Sequence, residues 1–244
     1  RPVASKKEIA AAFSAAHAAQ EKWKRVSLKG RAAFCSAAVD AMLAMRDEIV
    51  PELAWQMGRP IRYGAGELRG FEERARHMIG IAEGALANHV PAAKEGFTRF
   101  ISREPWGVVF TIAPWNYPYL TAVNSVIPAL MAGNAVVLKH ASHTLLVAER
   151  FQKAFDKAGL PKGVFQHLVM NHAQATDVIS GGLVNMVCFT GSVAGGRAME
   201  QAAAGRFINV GLELGGKDPA YVRHDANLAH AVENLVDGAF FNSG

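Results

Sequence analysis

Four short stretches of this 244-residue chain place polar or small residues where an apolar run gives way to a loop, and they hold most of its candidate chemistry. The first reads Pro114-Trp115-Asn116-Tyr117-Pro118. Two prolines stiffen the turn, and an asparagine aimed between them can donate to an oxygen that becomes negative during a reaction. The same residues also suit an ordinary turn in which Pro118 opens a helix. The second stretch is Lys139-His140-Ala141-Ser142-His143. Lys139 could grip a nucleotide ribose or phosphate, or be a common solvated lysine, and Ser142 suits the N-cap of a helix that follows. The third, Phe189 to Gly196, is rich in small residues that let a helix start close to phosphate oxygens, or simply join strand to helix. In the fourth, Glu213 lies between Leu212 and Leu214 and ahead of Gly215-Gly216. Apolar surroundings would raise its pKa and suit it to general-base work, unless a lysine or arginine pairs with it. Cys188 sits inside an apolar run and Cys35 in a helical pattern far from these loops, so both are expected to be core thiols.

The elements that must position these loops follow from periodicity. Ile9 and Phe13 mark a helix over 5–23, and Phe34, Ala38, Met42, Met45 and Ile49 recur on one helix face, with Pro51 signalling a break or a new start. Phe71, Ala75, Met78 and Ala82 mark a third helix, and the intervening MGRPIRYGAGE, with three glycines and a proline, reads as a loop. A partly alternating run from Phe97 to Ser102 predicts a strand. Beyond it, apolar runs at 107–113, 134–140, 163–170, 185–191 and 207–214 alternate with helical patterns at about 121–132, 143–158 and 194–204. Continuously apolar strands separated by helices predict an α/β fold with a parallel sheet covered on both faces. Ligands of such sheets bind beyond the carboxyl ends of the strands, where all four stretches fall.

Half of the residues are hydrophobic, enough for a sizeable core in one or two domains. No run of about 18 apolar residues occurs, so no membrane span is expected. The net charge of +5 comes with early lysines and arginines (Lys6, Lys7, Lys22, Lys24, Arg25, Lys29, Arg31) interleaved with Glu8, Glu21 and alanines. That is a solvated helix face, and no nucleic-acid motif accompanies it. Two cysteines outside any CxxC pair argue against a disulfide framework or a structural zinc, and no metal is expected. A reducing cytoplasm is the expected location.

Taken in order, PWNYP, GNAVVLKH, FTGSxxxG, LELGGK and FFNSG resemble the aldehyde dehydrogenase superfamily over essentially the whole chain, and MGRP and PALMAGN fit as well. The resemblance implies a Rossmann-like NAD(P)-binding domain over 1–92 and 106–214, a strand arm of an oligomerisation domain over 93–105, and the beginning of an α/β catalytic domain over 215–244. It implies oxidation of a small-molecule aldehyde to an acid with reduction of NAD or NADP, in a homodimer or homotetramer. By the same likeness Asn116 is the oxyanion donor and Glu213 the base that activates water to hydrolyse a cysteine thioester. Lys139 and Ser142 contact the adenosine ribose, Gly191, Ser192 and Gly196 form the pyrophosphate turn, and Ile112, Trp115 and Leu214 line the cofactor cleft. Tyr117 and Leu120 to Asn124 contribute a wall of the aldehyde tunnel. The family's cysteine lies in a loop of the form N-x-G-Q-x-C. Aligned on Asn242-Ser243-Gly244, it is expected three residues after Gly244.

Two departures from the family pattern carry expectations. Many members have KPxE where this chain has Lys139-His140-Ala141-Ser142. Without a carboxylate to pair with the ribose 2′-hydroxyl and repel a 2′-phosphate, NADP should be tolerated or preferred. The variant is similar to that of some succinate-semialdehyde dehydrogenases. The loop Met170-Asn171-His172-Ala173 lacks glycines found in many relatives, which unsettles cofactor contacts there. Two other readings stand beside hydrolysis: a CoA-acylating aldehyde dehydrogenase, which would not need Glu213, and a nucleotide-binding protein without catalysis.

Overall fold

The computed structural model describes residues 1–242; Ser243 and Gly244 lie outside the described residues, and with them the end of the FFNSG motif. Five parallel strands form one sheet: β1 (Val108–Ile112), β2 (Ala135–Lys139), β3 (Phe165–His167), β4 (Met186–Gly191) and β5 (Asn209–Leu214). Their order is β3-β2-β1-β4-β5. The chain therefore winds outward from β1 to β3, then returns to the other side of β1. The reversal falls between β1 and β4, where this architecture opens a crevice at the carboxyl ends of the strands.

Strand alternation feeds two cores. Val108, Phe110 and Ile112 of β1 face α1 (Lys6–Trp23), α7 (His172–Ser180) and α8 (Val193–Ala203). Val109 of β1, with Val136 and Leu138 of β2, faces α2 (Leu28–Leu43), α3 (Arg46–Met57), α4 (Ile61–Leu86), α5 (Pro118–Met131) and α6 (Leu145–Lys157). β1 and β2 are buried at every position because helices cover both sides. β5 is mostly exposed, an edge strand with α8 packed against one face. α9 (Leu228–Phe240) buries none of its residues.

The structure corrects several expectations. The stretch read as a loop over MGRPIRYGAGE is mostly helix, since α4 starts at Ile61 and only 58–60 link it to α3. The single face from Phe34 to Ile49 is split between α2 and α3 by a turn at Ala44 and Met45, and Pro51 sits inside α3 rather than at its start. The strand expected near 97–104 is not formed among the described residues. Only isolated antiparallel bridges, His89 to Ile101 and Lys94 to Phe97, occur there. Phe97, Phe100 and Ile101 are exposed, and among the described residues the alternating pattern meets no strand beyond these bridges. α7 and α9 are additions. Among the described residues no helix is long and apolar enough to cross a membrane.

Candidate active site

A cleft of about 620 Å³ opens at the carboxyl end of the sheet beside the β1–β4 reversal. Its floor is Thr111, Cys188 and Glu213, from β1, β4 and β5; its walls include Thr121, Asn124 and Ser125 of α5 and Arg74 of α4. The register explains the grouping. Thr111 pairs with Cys188, and Thr190 with Glu213, so these side chains share one face of the sheet. The Ser125 hydroxyl and Thr111 Oγ1 lie 3.2 Å apart across this face. Ile112 also borders the cleft, whereas Tyr117 and Leu120 do not.

Glu213 reaches the cleft, but not in the surroundings its neighbours suggested. Alternation turns Leu212 and Leu214 to the opposite face, and Glu213 is exposed. Its carboxylate makes no ion pair among the described residues. The two flanking leucines therefore do not enclose it. Cys188 is likewise only half-buried, packed partly against the core and partly lining the cleft, because helices leave this side of β4 open. Burial still pushes its thiol up to about 11, and that of the fully buried Cys35 to about 12. Neither supplies much thiolate at neutral pH.

Asn116 lies on the exposed loop leaving β1, and its groups are sorted by their partners. Its Oδ1 accepts the Tyr117 N–H at 3.1 Å, which leaves Nδ2 to donate elsewhere. Its carbonyl accepts from Arg59 Nη2 at 2.8 Å and from Asn242 Nδ2 at 3.0 Å. Arg59 also donates Nε to Asn242 Oδ1 at 2.8 Å and Nη1 to the Glu67 carboxylate, and its guanidinium lies over the Tyr117 ring. Glu67 Oε1 accepts the N–H groups of Tyr119 and Leu120, each at 3.0 Å, in the first turn of α5. That turn has no side-chain N-cap of its own, so the buried carboxylate does the capping. Sequence reasoning found Asn116 and missed Arg59 and Glu67. The signal available was a cation and an anion eight residues apart in a segment otherwise read as a loop.

Lys139 ends β2 and is only 5% exposed, and this burial lowers its pKa. It is the register neighbour of Ile112. Ser142 does not cap α6: it is exposed and opens a short 3-10 turn over Ser142–Thr144, and Thr144, at the N-cap position, makes no capping bond to the helix with its side chain. His140 between them is buried. Its Nδ1 accepts from the Ala141 N–H at 3.0 Å and the Thr144 hydroxyl at 2.8 Å, so the proton sits on Nε2, which donates to the Pro118 carbonyl at 3.2 Å. Burial, aided by the charge of Lys139, brings its pKa down to about 4 against the opposing pull of the Pro118 carbonyl. Protonating Nδ1 would set it against two donors. Between that value and the ordinary 6.5, the unfolded chain binds more protons than the folded one, so stability should fall as pH drops from 6.5 through 4. The loss attributable to His140 should reach at most about 3 kcal/mol. Urea midpoints from pH 7 to pH 4 should show a shallower decline for His140→Gln than for the parent. Parallel declines would mean that His140 does not carry this dependence.

The small-residue turn after β4 is built for close approach. Ser192 caps α8, its Oγ accepting the Gly195 N–H at 3.1 Å. The earlier N–H groups at the start of α8 lack intrahelical acceptors and favour an anion. A Cβ on Gly196 would meet Leu214 Cδ2 at 2.6 Å, and one on Gly191 would meet the Phe189 ring at 2.8 Å. Leu214 thus reaches Gly196 on the side of the sheet opposite Glu213. Gly191 and Leu214 are register partners, which brings three of the expected cofactor residues together. Trp115 stays exposed on the Asn116 loop and does not border the cleft.

The sequence profile of the aldehyde dehydrogenase family matches residues 1–244. The chain belongs to the aldehyde dehydrogenase family. It is 37% identical to a 3,6-anhydro-alpha-L-galactose dehydrogenase of Streptomyces coelicolor, over 100% of this chain and 49% of that protein. It is 31% identical to succinate-semialdehyde dehydrogenase [NADP(+)] 1 of Mycobacterium bovis, over 97% of this chain and 52% of that protein. The structure superposes on an NAD-dependent aldehyde dehydrogenase from Sinorhizobium meliloti with a TM-score of 0.93 at 33% identity, covering 100% of this chain and 49% of that one. The chain spans about half the length of these aldehyde dehydrogenases.

Proposed function

We propose that this chain supplies the NAD(P) site, the oxyanion donor and the water-activating base of an enzyme that oxidises an aldehyde to a carboxylic acid. The observation that carries this reading is the division of labour at the carboxyl end of the sheet: a sorted amide on Asn116, a cleft-lining carboxylate on Glu213 with no ion pair among the described residues, and a capped glycine turn at the start of α8. The residues fit a dinucleotide. Gly191, Ser192 and Gly196 would hold its pyrophosphate at the α8 terminus and Lys139 and Ser142 its ribose, while of Ile112, Trp115 and Leu214 only Ile112 borders the cleft of about 620 Å³ and the other two would flank the cofactor outside it. When bound, NAD or NADP supplies the hydride acceptor.

Within that frame Asn116 Nδ2 donates to the aldehyde oxygen as negative charge builds on it. Glu213 takes a proton from water as the water attacks a cysteine thioester. The family likeness assigns that cysteine to a loop of the form N-x-G-Q-x-C, whose first residue aligns with Asn242. Residues 215–244 are the start of a catalytic domain that follows β5 in the chain. The unpartnered apolar side chains of α9, among them Val232, Val236 and Phe240, support that division. The exposed Phe97, Phe100 and Ile101 support assignment of 93–105 to an arm that pairs with another subunit in a homodimer or homotetramer. Two free thiols suit a cytoplasmic location. Ser142 in place of a carboxylate, beside Lys139, favours acceptance of NADP, the cofactor in the name of the Mycobacterium bovis relative.

The test is rapid mixing of the full-length Glu213→Gln protein with an aldehyde and saturating NAD or NADP. A burst of reduced cofactor close to one per site, followed by turnover slowed about 100-fold or more, is expected. Normal turnover without a burst would remove Glu213 from hydrolysis, and acyl-CoA formation at the parental rate would favour the CoA-acylating reading. A large preference for NAD in the parent would sink the cofactor assignment.

A further inference from the structure

We propose that Arg59 is a positioning residue that sets the Asn116 loop and the segment at Asn242 in register with each other. The proposal rests on the reading of Asn116 as oxyanion donor. Arg59 spends its fork on three separate parts of the chain: Nη1 on Glu67 in α4, Nη2 on the Asn116 carbonyl, and Nε on Asn242. Asn242 returns its own amide hydrogen to the same carbonyl, closing a triangle among Arg59, Asn116 and Asn242. The Asn116 carbonyl thus takes two bonds while its Oδ1 takes a third from Tyr117. Its Nδ2 has no partner among the described residues.

The chemistry of this cluster goes beyond holding the fold. Arg59 is 4% exposed and Glu67 3%, and a buried ion pair is commonly no better for stability than apolar residues of similar size. What apolar residues could not do is fix a carbonyl and a distant amide from one rigid plane. The guanidinium also lies 4.7 Å from the centre of the Tyr117 ring, which comes directly after Asn116. A lysine would keep the charge opposite Glu67 but could not reach three acceptors in fixed geometry. Small displacements of a pre-aimed donor are costly in rate even when binding is untouched.

The test is a double-mutant cycle on the full-length enzyme, pairing Arg59→Lys with Asn116→Ala. Arg59→Lys should lower kcat by about tenfold and leave the aldehyde KM within about twofold. In the Asn116→Ala background the same change should cost less than about twofold, because the donor it aims is gone. Equal losses in both backgrounds, or no loss from Arg59→Lys alone, would overturn the proposal. An Asn116→Ala enzyme with unchanged kcat would instead overturn the reading of Asn116. Asn242→Ala repeats the cycle at the other corner of the triangle should Arg59→Lys fold poorly. It should cost a few-fold in kcat alone and nothing further beside Asn116→Ala; additive losses there would equally overturn the proposal.

Discussion

Replacing Glu67 with alanine is expected to destabilise the protein by about 3–5 kcal/mol, the usual cost of stranding one member of a buried ion pair. The Glu67 side chain is 0% exposed and that of Arg59 3%, so water cannot replace the lost carboxylate without local opening. The change would also leave two backbone N–H donors of α5 without their acceptor, because Glu67 Oε1 takes the N–H groups of both Tyr119 and Leu120. Exposed pairs such as Arg223–Asp225 should contribute about 0–1 kcal/mol by comparison. Urea titration measures the difference directly, and a melting temperature lower by roughly 10 °C is expected for a chain of this size. Glu67→Gln keeps an acceptor for the two amides and removes only the charge, so its cost should be smaller. A loss below about 1 kcal/mol for Glu67→Ala would show that Arg59 is solvated after all.

The same pair marks the boundary of what the sequence could reveal. The strands of the sheet centre were legible because Val108 to Ile112 and Ala135 to Lys139 are buried on both faces and so need no polar alternation. Asn116, Glu213 and the turn at Ser192 were legible because they lie at or just beyond the ends of such strands. The start of α4 was hidden by its glycines, which cost a helix roughly 1 kcal/mol each and usually punctuate loops. Gly64 has another purpose: a Cβ there would meet Val50 Cγ1 at 2.9 Å, so its absence lets α4 lie against α3. α7 is short and offers few apolar residues, yet its start carried a readable signal, the capping box of Asn171 and Gln174. The run near 97–104 has the right alternation but, among the described residues, only isolated bridges to pair with. Glu213 shows the opposite error, in which sequence neighbours were taken as spatial ones; in a strand they face away. Arg59 could not be found this way, because its partners at 116 and 242 are brought to it only by the fold.

Asn116→Ala in the full-length enzyme is expected to lower kcat by about 10²–10³-fold while changing the aldehyde KM little, the pattern left by removing one pre-aimed oxyanion donor. A neutral aldehyde oxygen asks little of that donor; the charge it serves appears only as the tetrahedral adduct forms. The Asn116 amide is oriented beforehand, since the Tyr117 N–H occupies Oδ1 while Arg59 and Asn242 hold the carbonyl. Asn116→Asp should be at least as damaging, because it replaces the donor with a like charge facing the developing oxyanion. The two catalytic candidates then separate by the step they touch. Loss of Asn116 should slow the first appearance of reduced cofactor, whereas loss of Glu213 should leave that burst intact and slow the later turnovers. Less than a tenfold loss for Asn116→Ala, or a burst preserved at the parental rate, would mean that another group meets the oxyanion. The triangle of Arg59, Asn116 and Asn242 would then be holding a loop that the chemistry does not use.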